Sequence, residues 1–333
     1  SLRFAELINI LSRQANVAIL IDEYDKPILE NATSDNLEEI RRVLEDFYAI
    51  VKSTEAQQRF VILTGVSKFS KVSVFSKLNN LTDITMDARF ATMLGYTQRE
   101  LEENFSQYID PIAEKMKLKP QELLDQTRDW YNGYQFETDA KTVYNPVSIG
   151  KFFIAEGKFS NYWFSTGTPT FLLKLAKEQH FDFEKAISEP VAELAFEAYE
   201  IGKLKTLPLL FQTGYLTIKE TIKDDCDTFY KLGFPNREVE SAFQAYLLDD
   251  YAGVNKEDVA VIVAKLVRYL KANDVNAFME NLQVFFADIP YDIQLPNEKY
   301  YQTIFYVLFR LVGLRVEAEA RTNRGRIDAV VHT

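Results

Sequence analysis

The first part of the chain alternates between helix-like and strand-like patterns of apolar residues. An apolar stripe at helical spacing predicts an amphipathic helix over residues 2–14. The stripe consists of Phe4, Leu7, Ile8 and Leu11. The uninterrupted apolar run "VAILI" at 17–21 is typical of a buried strand. A second stripe in "SDNLEEIRRVLEDFYAIVKS" predicts another helix, with Ser34 or Asp35 as its N-cap.

The β-branched run "FVILTGVSKFS" predicts a second strand that finishes at Thr64 and Gly65. Strands that are apolar throughout, with a helix between them, indicate a parallel βαβ unit, because parallel sheets are covered on both faces. The fold class predicted for this region is therefore α/β.

Helical patterns dominate the middle of the chain. From about residue 97 the sequence becomes helical and aromatic, as in "KPQELLDQTRDWYNGYQF". Around 204–246 the order is helix, strand, acidic turn "KDDCD", strand and helix, which is similar to a winged-helix module. Because that turn is acidic, whereas DNA-binding wings are usually basic, ordinary hairpin packing is favoured over nucleic-acid contact. Two further helices are predicted over 256–272 and 274–286.

The last part of the chain has the pattern of a helix followed by two strands joined through Gly325. The residues predicted to face inward on that helix are Tyr301, Ile304, Phe305, Leu308 and Val312. We therefore divide the chain into four segments. They are an α/β segment at 1–96, a helical, aromatic-rich segment at 97–203, a winged-helix-like and helical segment at 204–288 and a final segment at 289–333.

Composition and charge narrow the function classes. A formal net charge of -11 disfavours binding of nucleic acid or anionic lipid through the overall field, so a basic site must be local. The single cysteine, Cys226, excludes an internal disulfide and indicates the cytoplasm. Apolar runs are too short to span a bilayer, so no membrane partner is expected. Only His180 and His332 are available for histidine chemistry, and His180 is better explained as an ordinary surface or packing histidine than as a catalytic one.

Carboxylates follow the first predicted strand directly. Asp22 and Glu23 lie at its carboxyl end, the edge of a parallel sheet at which ligands collect. Such a pair is able to divide two tasks in nucleotide hydrolysis, one residue holding hydrated Mg²⁺ and the other orienting the attacking water. Thr64, at the end of the next strand, would sense the γ-phosphate. The alternative is a pair of solvated acids that only terminates a strand.

Several longer motifs are shared with a known family. The segments "VAILIDEYDKPIL", "WYNGYQF", "YNPVSI", "YWFSTGTPTFLL", "LLFQTGYLTI" and "LGFPNREV" resemble those of bacterial AAA-ATPase-like proteins that carry a C-terminal PD-(D/E)XK nuclease-like domain. The resemblance implies a partial P-loop NTPase core, with Asp22 and Glu23 in the Walker B position and Thr64 in the sensor position. Arg89 is a candidate phosphate-facing arginine, with a surface ion pair as the alternative. ATP and Mg²⁺ are the implied cofactors.

A phosphate-binding loop is missing from the 333 residues. The segment "GVSKFSK" lacks the second glycine and the Lys-Ser/Thr pair of a P-loop. The family places this loop before the position of Ser1, and both chain ends look cut, so we expect this chain by itself to be inactive.

The carboxyl-terminal pattern fits the beginning of a restriction-endonuclease-like α/β domain. By resemblance, Glu298 and Asp328 match two metal-holding acids of the nuclease family, and the E-x-K motif would follow Thr333. The alternative for Asp328 is an ion pair with Arg324 or Arg326.

Two functions follow from these patterns. The first is ATP binding and hydrolysis in the full-length protein, coupled to processing of nucleic acid as the partner. The second is a non-catalytic interaction or regulatory module, with a protein partner or self-association, on a degenerate ATPase fold.

Overall fold

The chain divides into two compact units, Ser1–Asp87 with Ala192–Gly214 and Ala88–Val191 with Tyr215–Thr333. The structure is a computed structural model that describes residues 2–31, 34–66, 81–163, 170–179, 181–192, 196, 205–224, 227–290, 298–313, 315–322 and 325–332. His180 and Cys226 lie outside the described residues.

Helices provide most of the regular structure. The described α-helices are α1 (Leu2–Ser12), α2 (Lys26–Leu29), α3 (Leu37–Ser53), α4 (Gln98–Met116), α5 (Pro120–Tyr131), α6 (Pro146–Ile154), α7 (Thr170–Glu178), α8 (Phe183–Ser188), α9 (Thr206–Gln212), α10 (Arg237–Ala252), α11 (Lys256–Lys271), α12 (Val275–Ala287) and α13 (Glu298–Val312). The strands are β1 (Val17–Ile21), β2 (Gln58–Leu63), β3 (Val191–Ala192), β4 (Thr217–Lys223), β5 (Thr228–Gly233), β6 (Arg315–Thr322) and β7 (Gly325–His332).

In the first unit, β1 and β2 form a parallel pair in which Ile21 lies beside Leu63. The sequence-based prediction of parallel strands joined through a helix is confirmed. One face of the pair packs on the neighbouring helices through a cluster of Ile8, Ile19 and Ile50. On the opposite face, Leu20 is 70% exposed and Phe60 is 52% exposed. Among the described residues, one side of this apolar sheet is therefore uncovered.

The predicted N-cap of α3 was wrong. The N-cap residue is Asn36, and its side chain makes no capping hydrogen bond. The Ser34 hydroxyl instead accepts a hydrogen bond from the Asn36 backbone N–H at 3.2 Å, within the turn that precedes the helix. Ser34 lies two residues before the N-cap, so its hydroxyl binds the N-cap backbone N–H and not an N–H in the first turn of α3.

In the second unit, α4, α5 and α6 surround an aromatic and aliphatic core. Thr97 and Glu100 form a capping box at the start of α4, where the Glu100 carboxylate accepts from the Thr97 backbone N–H at 2.8 Å. The buried members of the core include Leu101, Tyr131 and Phe152. Helix α10 packs against α11 and α13 in the same unit.

The predicted order of helix, hairpin and helix between 204 and 246 is confirmed by α9, the antiparallel β4–β5 pair and α10. Strand β3 pairs with the other edge of β5. Helix α9 falls in the first unit and the hairpin in the second, and the winged-helix arrangement stays a prediction.

The last helix and its hairpin were predicted with one error in facing. Ile304 and Leu308 are fully buried, but Tyr301 is 40% exposed, whereas Tyr300 is 2% exposed. Tyr300 packs against Tyr251 of α10 with ring centroids 5.9 Å apart, so the contact with α10 determines which of the two tyrosines faces inward. Strands β6 and β7 pair in antiparallel register, with Ala318 opposite Ala329.

Candidate functional site

The carboxyl ends of β1 and β2 bring Asp22 and Thr64 together. The Thr64 backbone N–H donates to the Ile21 carbonyl at 2.9 Å, so the two chains remain side by side beyond the strands. The Thr64 hydroxyl donates to Oδ1 of Asp22, which also accepts the Glu23 backbone N–H at 2.9 Å. Both hydrogen bonds use Oδ1, and Oδ2 accepts none from the described residues. Carboxylate and hydroxyl oxygens are the hard ligands that suit hydrated Mg²⁺.

Strand β1 ends at Ile21, so Asp22 and Glu23 both lie beyond it, in the turn that follows the strand. Glu23 has a left-handed backbone, with φ of 53°. A non-glycine residue in this conformation costs about 1 kcal/mol or more, and such strain is common at functional sites. The Glu23 carboxylate pairs with Lys26 at 2.8 Å, and this hydrogen bond, together with the charge of Glu23, raises the pKa of Lys26. Both side chains are more than half exposed, so the pair contributes little to stability.

Asp25 stabilises the turn after β1 by binding the backbone that follows β2. The sequence analysis did not predict this role. Its side chain is fully buried and accepts the Val66 backbone N–H, at 3.2 Å to Oδ1 and 3.0 Å to Oδ2. Gly65 is required between them, because a Cβ there would lie 2.6 Å from Oδ1 of Asp25. Burial and the charge of Asp25 raise the pKa of Tyr48 to about 12. Two features of the sequence could have indicated this role of Asp25. They are a third acid in "DEYD" and a glycine at position 65, directly after the second strand.

The remaining predicted site residues are placed elsewhere. Arg89 is exposed in the second unit, with its guanidinium carbon 5.5 Å from the centre of the Phe90 ring. Glu298 begins α13, and Asp328 lies in β7. The side chains of both acids lie outside the described part of the structure. Among the described side chains, no group of three or more His, Cys, Asp or Glu residues has a metal-binding arrangement. The roles assigned to all three residues stay predictions.

Motifs that carried the family resemblance meet around the buried Glu238 of α10. This side chain has no exposed surface, and its carboxylate accepts the Ser148 hydroxyl at 2.7 Å and the Trp163 backbone N–H at 2.8 Å. Tyr134 packs edge-on against Trp163, with ring centroids 6.5 Å apart. The neighbouring Gln135 backbone N–H donates to the Thr217 hydroxyl at 2.8 Å. The motifs from five separate segments are therefore explained at least in part by shared packing and hydrogen bonding.

We expect Glu238→Gln to make stability less dependent on pH. Burial raises the pKa of Glu238 above its ordinary value of 4.5, so the folded state binds this proton more tightly than the unfolded state. The resulting stabilisation is complete below the unfolded-state pKa and is lost as the pH rises through the folded-state pKa. Thermal unfolding should be measured from below pH 4.5 upward through the raised pKa of Glu238. As the pH rises, the Tm of the parent should fall relative to that of Glu238→Gln.

Glu103→Gln is the matched control for this experiment, because its carboxylate is exposed on α4. Its Tm should follow that of the parent throughout the titration. If the parent and Glu238→Gln keep a constant difference in Tm at every pH, the buried carboxylate does not carry the proton linkage.

Comparison with known proteins agrees with this architecture. Residues 2–75 match the family model described as predicted AAA-ATPase, and residues 296–333 match the PD-(D/E)XK nuclease superfamily. No solved structure gives a significant match. None of the described helices combines the length and apolar character needed to cross a membrane.

The chain thus carries an AAA-ATPase-like region and a PD-(D/E)XK nuclease-like region, which confirms the resemblance seen in its motifs. It is also 39% identical over 344 aligned residues to a bacterial protein named "Uncharacterized protein in vnfD 5'region" from Azotobacter chroococcum mcd 1. The match covers 99% of this chain and 63% of that relative, so the chain spans less than two thirds of the relative's length.

Proposed function

We propose that the full-length protein binds and hydrolyses ATP at the strand ends of the first unit and couples hydrolysis to nucleic-acid processing. The observation that carries this proposal is the contact between Asp22 and Thr64 at the adjoining ends of parallel strands. Both residues lie within the segment that matches the predicted AAA-ATPase model. The proposal assigns them the Walker B and sensor positions of a P-loop core.

The residues at the strand ends suit different parts of the reaction. Asp22 would hold hydrated Mg²⁺, which supplies charge neutralisation at the phosphates when bound. Glu23 would accept a proton from the attacking water after leaving its exposed pair with Lys26. Asp25 would keep the turn rigid by binding the Val66 N–H, so that Thr64 stays beside Asp22. The phosphate cradle itself would be contributed by chain outside the 333 residues.

The uncovered face of the sheet supports an incomplete α/β core. Leu20 and Phe60 are on the same face because Ala18 pairs with Phe60 and the pleat returns every second residue to one side. Parallel sheets normally have both faces covered. We infer that elements beyond the described residues cover Leu20 and Phe60 when the core is complete.

The carboxyl-terminal segment gives the proposal its nucleic-acid component. Glu298 and Asp328 both lie within the residues that match the PD-(D/E)XK superfamily. We propose that they hold a catalytic metal ion once an E-x-K motif is supplied by further chain.

A cytoplasmic location fits the single cysteine of the sequence.

The Mg²⁺ dependence of ATP hydrolysis tests this assignment. In the full-length protein, Asp22→Asn should need more Mg²⁺ for half-maximal hydrolysis, by roughly tenfold or more, because a neutral amide oxygen is a poor ligand for a hard dication. Asp35→Asn, an exposed acid before α3, is the matched control and should leave the Mg²⁺ requirement unchanged. An unchanged Mg²⁺ requirement in Asp22→Asn would remove the metal role from Asp22.

A further inference from the structure

A polar cleft of about 630 Å³ in the second unit gathers three arginine side chains. It lies between the end of α5, the turn before α10, one face of α10 and the end of α13. Its charged lining residues are Arg128, Asp129, Arg237, Glu240 and Arg310. Three guanidinium groups therefore face two carboxylates, in a chain whose net charge is -11. The acidic composition disfavours binding of an anion through the overall charge, but it allows a local basic site such as this one.

The three arginines differ in how far their charge is already neutralised. Arg310 pairs with Glu240 at 2.6 Å, and both side chains are only about one third exposed. Arg128 makes a longer contact with Asp125, at 3.4 Å, between two side chains that are each about half exposed. Arg237 lies over the Trp130 ring at 5.1 Å, and within the described part of the chain no carboxylate pairs with it. Arg237 is thus the cation of the three that no described carboxylate neutralises, and Arg128 would exchange its exposed contact with Asp125 and its 3.2 Å hydrogen bond to Gln98 for a ligand.

The start of α10 adds partial positive charge from its backbone, beside the carboxylates of Glu238 and Glu240 in the same turn. This helix of 16 residues begins at Arg237, and the Asn236 side chain caps it by accepting the Val239 N–H at 3.1 Å. The first turn of a helix carries partial positive charge, which favours an anion nearby. The lining residues Ser241 and Gln244 continue the same face of α10 into the cleft.

The floor of the cleft is built from buried polar groups and tightly packed backbone. The side chains of Asn132, Asn236 and Gln244 are 5%, 7% and 2% exposed. Gly133 has φ of 111°, and a Cβ there would lie 2.0 Å from the Pro235 carbonyl oxygen. The lining is therefore held in place before any ligand binds, which lowers the entropic cost of binding.

We propose that this cleft binds a phosphate group of a single-stranded nucleic acid. Arginine binds phosphate through two parallel N–H donors, and both Arg128 and Arg237 line this cleft. Arg310 places the opposite wall within the segment that matches the nuclease superfamily, so the inference rests on the proposed nucleic-acid function. A single strand fits better than a duplex, because a chain with a formal net charge of -11 repels the denser charge of a double helix more strongly.

Fluorescence anisotropy with a labelled thymidine oligonucleotide tests the cleft directly. The double variant Arg128→Gln/Arg237→Gln should weaken binding by about tenfold or more and reduce the salt slope by about 0.7 for each phosphate that the protein no longer neutralises. Arg99→Gln is the matched control, because this arginine is exposed on α4 and does not line the cleft. It should bind the oligonucleotide nearly as well as the parent.

Four outcomes would overturn the proposal. Equal losses of affinity in Arg128→Gln alone and in Arg99→Gln, each of which removes one positive charge, would indicate a bulk charge effect. Full binding by the double variant would place the strand elsewhere. Displacement of the oligonucleotide by Mg-ATP, with loss of ATP binding in the double variant, would make the ligand a nucleotide. The absence of binding by the parent at low salt would also contradict a nucleic-acid role for the cleft.

Two further measurements distinguish loss of binding at the cleft from unfolding of the variant and from failure of the ATPase proposal. If the double variant unfolds at a lower temperature, Arg128→Gln alone tests the cleft without disturbing the Arg237 contact with Trp130, and it should still weaken binding. The Mg²⁺ dependence of ATP hydrolysis is measured at Asp22, in the other unit, so failure of the cleft proposal and failure of the ATPase proposal give different results.

Discussion

In the full-length protein, Glu23→Gln is expected to slow ATP hydrolysis by roughly 10² to 10⁴-fold, because it removes the proposed general base. The amide keeps the shape of the side chain and its ability to hydrogen-bond, but it cannot accept the proton of the attacking water. Affinity for Mg-ATP should survive, since Asp22 and not Glu23 is proposed to hold the metal. Single-turnover hydrolysis and nucleotide affinity, measured side by side, separate these two effects.

Glu39→Gln provides the control for Glu23→Gln, because it removes an exposed carboxylate from the first turn of α3 in the same unit. Its hydrolysis rate should equal that of the parent. Hydrolysis by Glu23→Gln at the parental rate, or a full-length protein without ATPase activity, would make the catalytic interpretation of "IDEYD" wrong. A non-catalytic interaction module would then be the better account.

Gly133→Ala is expected to lower the free energy of unfolding by about 2–4 kcal/mol, because two costs coincide at this position. Its φ of 111° strains any side chain, and the new Cβ would lie 2.0 Å from the Pro235 carbonyl oxygen. That oxygen also accepts the Lys219 ammonium at 2.9 Å, so the turn before α10 cannot yield without losing this hydrogen bond. Chemical denaturation monitored by circular dichroism would measure the decrease.

Gly150→Ala is the matched control, because Gly150 lies inside α6 and a Cβ there would meet nothing within 4 Å. It should raise the free energy of unfolding by about 0.5–1 kcal/mol, since alanine favours the helix over glycine. Similar stability changes in the two variants would mean that the Asn132–Gly133 turn yields without cost. The floor of the arginine cleft would then not be rigid.

Local patterns were sufficient for α1, β1, α3 and β2 of the first unit, but not for the short helix α2. The apolar run at 17–21 predicted the bounds of β1, and the uninterrupted hydrophobicity of both runs predicted parallel pairing. Such patterns work because periodicity and burial act over a few neighbouring residues. The N-cap of α3 failed for the same reason, since Ser34 and Asp35 are equally good caps by type and only the path of the turn decides which position becomes the cap.

The pairing of Asp22 with Thr64 was half predictable. Their places at the ends of adjoining parallel strands follow from the sequence, but the hydrogen bond between them depends on a register spanning 42 positions. The left-handed backbone of Glu23 is a conformation that no local preference of a glutamate favours. The burial of Asp25 likewise required the Gly65–Val66 backbone to return against it.

By itself, the sequence determined the α/β character of the first unit, most helices, the acidic strand end and the family resemblance. The tertiary structure alone decided that Glu238 joins distant motifs, that Tyr300 and not Tyr301 is buried, and that Arg128, Arg237 and Arg310 share one cleft. Residue type and spacing act locally, whereas these contacts join segments that are far apart in the chain. Their partners are selected by packing and by the need to satisfy buried polar groups, which only the folded chain provides.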